Sequence, residues 1–137
     1  MRRAAKIITF VSIAAAAITI LYFFVNYRVL VDDINTINDP QIDWLIPLLE
    51  GLRLYVIISG IVSIIYAIIA GVIISTTQNL DTLKVIGILS IIIGFFSNEI
   101  LLVGGIFTLI AVSKERNATF YRNDTYYNND NDYRIYR

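Results

Sequence analysis

The sequence predicts an all-α integral membrane protein of four transmembrane helices, the last two forming a short hairpin. Three observations carry that expectation. Of 137 residues, 57% are hydrophobic and only 16% charged, against about 45–50% apolar and about 25% charged in soluble domains. Mean hydropathy is +0.68, the reverse of a disordered chain. The apolar residues also fall into long charge-free runs rather than into an amphipathic period.

The first run is Ile7–Tyr27, twenty-one residues without a charge. A helix rises about 1.5 Å per residue, so this run crosses a hydrocarbon core of about 30 Å. Arg2, Arg3 and Lys6 precede it. A basic start and an apolar stretch also describe a signal peptide. The run is too long for one, and its small-residue cluster, Ala14–Ala17, lies inside it. A retained helix over about 7–27 is the reading.

Residues 28–53 are polar and acidic, with Asp32, Asp33, Asp39, Asp43 and Glu50 against Arg28 and Arg53. They are expected to form an outer loop. Asn38-Asp39-Pro40 signals a turn, and Trp44 leads an apolar patch interrupted by Pro47. Trp44 reads as a headgroup-level anchor, or alternatively as a partner contact.

The second span, about 54–76, opens a charge-free run that reaches Leu80. Gly60, Ser63, Ala67 and Ala70 recur on roughly one helical face. Small faces let helices approach closely in lipid, so Gly60, Ser63 and Ala67 are candidate packing positions. Gly87, Gly94, Gly104 and Gly105 are their counterparts further on.

Val85–Val112 is apolar except for Asn98 and Glu99 at its midpoint. As one spanning helix it would bury a carboxylate at mid-bilayer, at a cost of about 2.5–3.5 kcal/mol on insertion scales. As a hairpin, with spans over about 82–97 and 100–113, it turns at Ser97-Asn98-Glu99. Ser97 or Asn98 then caps the fourth helix, and Glu99 lies in its first turn, where the helix dipole favours an anion. Basic residues separate the two. With the N-terminus inside, four spans put nine Lys and Arg inside and two outside; three spans put four inside and seven outside. Only the hairpin obeys the positive-inside rule. Its two thirteen-residue apolar halves, about 20 Å each, are short for a full crossing.

Residues 114–137 are a polar tail rich in Tyr, Asn, Asp and Arg, assigned to the cytoplasm. Interleaved polar and aromatic residues favour a solvated segment. The alternatives are a β-hairpin around Asn128–Asp132, or a partner-binding arm using Tyr121, Tyr126, Tyr127, Tyr133 and Tyr136. Two glycosylation triplets, at Asn117 and Asn123, lie on the side this topology places inside.

Leu83-Lys84-Val85-Ile86-Gly87-Ile88-Leu89, Ile93-Gly94, Val103-Gly104-Gly105-Ile106 and the basic exit at Lys114 resemble the paired glycine-punctuated helices of one group. These are the small four-helix membrane proteins of low-GC Gram-positive bacteria classed as a domain of unknown function. The resemblance implies a topology and no reaction.

The chain has no cysteine and no histidine, which excludes thiol catalysis, His-based triads and the usual zinc and haem ligand sets. No phosphate loop, nucleophile elbow or metal-spaced acidic cluster occurs, and zero net charge gives no nucleic-acid signature. No cofactor and no enzymatic activity are expected. The expected role is a structural or accessory subunit in the cell membrane, packing with itself or with a larger membrane partner. Two rivals remain. One is a small oligomeric transporter or channel built on Glu99, of the size of small multidrug exporters, although those carry their carboxylate in the first helix. The other is a holin-like pore former.

Overall fold

A computed structural model describes the backbone of residues 1–37 and 39–135, and side chains through Arg122. Four α-helices account for nearly all of it: α1 (Arg2–Ile37), α2 (Leu45–Thr76), α3 (Leu80–Ser97) and α4 (Glu99–Ile135).

The helix boundaries follow from local chemistry. No glycine or proline occurs before Pro40, so α1 runs ten residues past its apolar segment. Pro40 bars helical backbone at the residue before it, and Asp39 turns the chain by accepting the Gln41 N–H at 2.9 Å. Pro47 falls in the first turn of α2, where a missing N–H costs no hydrogen bond. The stretch 28–53 is therefore mostly helix, with only 38–44 between α1 and α2. Asn79 caps α3, its side chain accepting from Asp81 N at 2.9 Å and Thr82 N at 3.3 Å. Nothing after Gly105 is a glycine or proline, and α4 continues as helix through residues 114–135. The two-strand arrangement considered for the tail is not formed.

The helices make an antiparallel ring in chain order, α1 packing on α2 and α4, and α3 on α2 and α4. Residue pairs fix the directions. Gly60 faces Ile20 and Gly71 faces Phe10. The Tyr66 hydroxyl donates to the Ile86 carbonyl at 2.8 Å. Gly94 lies against Leu102, and Gly104 against Thr9. Arg2 pairs with Glu115 across 3.3 Å, so the start of α1 lies beside the end of α4's apolar segment.

The interior is rich in small residues, with a few large apolar ones among them. The interior holds Ala5, Ala16, Ala67 and Ala70, the hydroxyl residues Thr9, Ser12, Ser63, Ser90 and Thr108, and the larger Ile74, Leu83, Ile86, Leu101 and Val112. The exterior carries Ile18, Leu21, Leu54, Ile58, Ile65, Ile69, Phe95 and Phe96, each about half exposed or more. In water such a surface would drive aggregation. In lipid, association relies on close packing of small residues and on hydrogen bonds instead. Thr9, Ser90 and Thr108 each donate to the carbonyl four residues back, which satisfies a buried hydroxyl without a partner helix. Three helices, α1, α2 and α3, are long and apolar enough to cross a membrane. The apolar part of α4, residues 100–113, is shorter than the roughly 17–25 residues a crossing takes.

Candidate functional site at the α3–α4 turn

The turn is built on one residue. Asn98 is extended (φ −161°, ψ 108°) between two helices. Its N–H donates to the Gly94 carbonyl at 2.9 Å and closes α3. Its side-chain oxygen accepts from Ile100 N at 3.0 Å and opens α4. Its side-chain NH2 donates across the bundle to the Ser12 carbonyl on α1 at 2.8 Å. On the other flank, the Tyr55 hydroxyl of α2 donates to the Phe96 carbonyl. The tip of the hairpin is thus pinned to both α1 and α2. Ser97 does not cap α4; its hydroxyl donates back to Ile93 at 2.6 Å.

Glu99 is the first residue of α4 and is exposed. Among the described residues it forms no ion pair. It sits in the first turn of α4, where the helix dipole stabilises an anion without a partner.

The candidate packing residues all lie inside the bundle or at its seams. Gly60, Ser63 and Ala67 share the buried face of α2 with Ala70, Gly71 and Ile74. A Cβ on Gly94 would sit 2.7 Å from the Leu102 Cα, and one on Gly105 would sit 2.7 Å from the Gly87 carbonyl. One on Gly87 would lie 3.2 Å from the Gly105 carbonyl, and one on Gly104 3.1 Å from the Thr9 hydroxyl. α3 and α4 therefore touch backbone to backbone at two levels.

Trp44 precedes α2 and is 64% exposed, and Tyr121 is exposed on α4 beside Phe120. The side chains of Tyr126, Tyr127 and Tyr133, and all of Tyr136, lie outside the described residues, as does Asn38 of the turn triplet. No group of three or more acidic side chains that could hold a metal ion occurs among the described residues.

Several anchors have no counterpart in the sequence reading: Asn79, Tyr55, Tyr66 and the Ser12 carbonyl. Asn79 carries the signal that marks Asn98, an Asn directly before an apolar helical run. The two tyrosines read as ordinary span residues. Nothing in a sequence points to the carbonyl of one serine.

A scan of protein-family models and searches of curated proteins and of solved structures find no match for this chain. The functional reading rests on its own geometry.

Proposed function

We propose that the chain is a non-catalytic, four-span membrane protein with both termini cytoplasmic. In this reading it serves as a structural or accessory subunit, packing with a second copy or a larger membrane partner. The observation that carries the reading is an exterior of large apolar side chains around seams lined by small residues. Glycine, alanine and hydroxyl residues fill the seams, while α2 turns Leu54, Ile58, Ile61, Ile65, Ile69 and Val72 outward. That outer face suits acyl chains or another helix. The adjacency of Arg2 and Glu115 supports an even number of crossings, since the start of α1 and the exit of α4 share one end of the bundle. That end also holds Lys114 and Arg116, and the opposite end carries Asp32, Asp33, Asp43 and Glu50 beside Arg28 and Arg53, a polarity that favours cytoplasmic termini. Glu99, on the surface and stabilised by its own helix, fits a turn residue better than a proton relay.

The test is reconstitution. Full-length protein in sealed vesicles is expected to conduct neither protons nor a small dye above the level of empty vesicles, with Glu99→Gln unchanged. A photo-crosslinker at Ile65 is expected to give one discrete adduct in native membranes. Proton-coupled flux lost in Glu99→Gln would replace this reading with a transporter, and dye release would replace it with a pore former.

A further inference from the structure

At the end of the bundle where α1 starts, the Arg2 guanidinium turns between α1 and α4. The side chain is 31% exposed, yet its Nε and Nη2 atoms are buried and have no hydrogen-bond acceptor among the described residues. Glu115 Oε1 lies 3.3 Å from Nε and supplies charge, but it is not aligned to accept. Buried donors of this kind almost always find an acceptor. Beside them opens a cleft of about 470 Å3 lined by Met1, Arg2, Arg3, Lys114 and Glu115, with Ala111 and Ala118 leaving the space. Three basic side chains line it against one carboxylate. Arg116, the next basic residue on α4, is already paired with Asp81 at 2.6 Å.

The cleft sits where both flanking helices leave their apolar segments. Arg2 lies just over one turn before Ile7, and Lys114 directly follows the apolar run of α4. That is the headgroup level of a bilayer. A planar guanidinium with free N–H groups matches a phosphate oxyanion in both charge and geometry. We propose that this cleft holds the phosphate of an anionic glycerophospholipid, with Arg2 as the principal donor and Arg3 and Lys114 at the rim. A water molecule would satisfy the donors but leave the excess positive charge uncompensated; a lipid phosphate answers both. The inference rests on the membrane reading above.

The experiment is native mass spectrometry of the full chain released from detergent, after its resistance to alkaline carbonate extraction has been scored. Loss of the chain to the carbonate wash overturns the membrane reading itself. For a carbonate-resistant chain, one retained phosphatidylglycerol is expected and no retained phosphatidylcholine. Arg2→Gln should reduce that adduct about tenfold or more, as loss of a charge-assisted hydrogen bond does. Arg2→Lys, which keeps the charge and loses the planar fork, should fall between. Lys114→Gln provides the same readout should Arg2→Gln fail to fold, and Arg53→Gln, at the far end, should leave the adduct unchanged. Equal loss in Arg2→Gln and Arg53→Gln would overturn the proposal in favour of general charge attraction. Displacement of the lipid by millimolar inorganic phosphate would overturn it in favour of a free-anion site.

Discussion

The side-chain NH2 of Asn98 donates to the main-chain carbonyl of Ser12, across 86 positions of sequence and at 2.8 Å. Ser12 lies in the first half of α1's apolar run. The tip of the α3–α4 hairpin is therefore held against α1 well short of its far end at Ile37. On α2 the corresponding anchor is Tyr55, ten residues after that helix begins at Leu45. α1 and α2 overtop the hairpin, and the turn is a docked element rather than a free loop.

Asn98 does two jobs, and substitution separates them. Asn98→Ala loses the cap of α4, about 1 kcal/mol, and the tether to α1, about 0.6 kcal/mol by the average for buried hydrogen bonds in membrane bundles. Asn98→Ser keeps a capping oxygen and loses only the tether. Unfolding in mixed detergent micelles should rank wild type, Ser, then Ala.

Two glycine substitutions should have opposite signs. Gly94→Ala drives a methyl group to 2.7 Å from the Leu102 Cα, backbone that cannot swing aside. It should destabilise by about 1–3 kcal/mol, the usual cost of overpacking. Gly51→Ala in α2 meets nothing within 4 Å and should stabilise by up to about 1 kcal/mol through helix propensity. Thermal melting in detergent checks both.

Tyr66 bridges α2 and α3, donating to the Ile86 carbonyl at 2.8 Å and accepting from Ser90 at 3.2 Å. Tyr66→Phe keeps the ring and removes both bonds. It should cost about 1 kcal/mol, and Ser90→Ala added to it should cost little more, since what remains to be lost is the local bond from the Ser90 hydroxyl to the Ile86 carbonyl within α3, which adds little to a helix. A double-mutant cycle measures that coupling.

Glu99→Gln should be nearly silent in stability, within about 1 kcal/mol, because only the helix-dipole interaction is lost. A larger loss in the same unfolding assay would mean a partner for the carboxylate.

The legible part of this fold was whatever depends on local composition. The apolar runs at 7–27 and 54–76 and the break at Asn98 were readable because charge, length and capping chemistry act within a few residues. The extension of α1 to Ile37 is not legible from composition, because a polar stretch reads as loop, whereas a helix that meets no glycine or proline has no local reason to stop. The continuation of α4 beyond Ser113 follows the same rule. The small faces of α2 and α3 were readable as faces, but not which helix each meets. Gly104 on Thr9 and Arg2 on Glu115 are set by tertiary packing, which leaves no local mark. At the turn, Asn98 and Glu99 stood out as polar residues in an apolar field, while Tyr55 and Ser12, which hold the turn in place, did not.

In the proposed topology α3 and α4 form a hairpin that returns the chain to the membrane face on which α1 starts. The chain has no native cysteine, so single cysteines in place of Asp43 and of Asn117, labelled in intact cells with a membrane-impermeant maleimide, test it directly. The hairpin predicts labelling at position 43 and protection at position 117 until the membrane is opened. Labelling of both positions from outside would contradict it, and would make α3 and α4 a single crossing with Glu99 inside the bilayer.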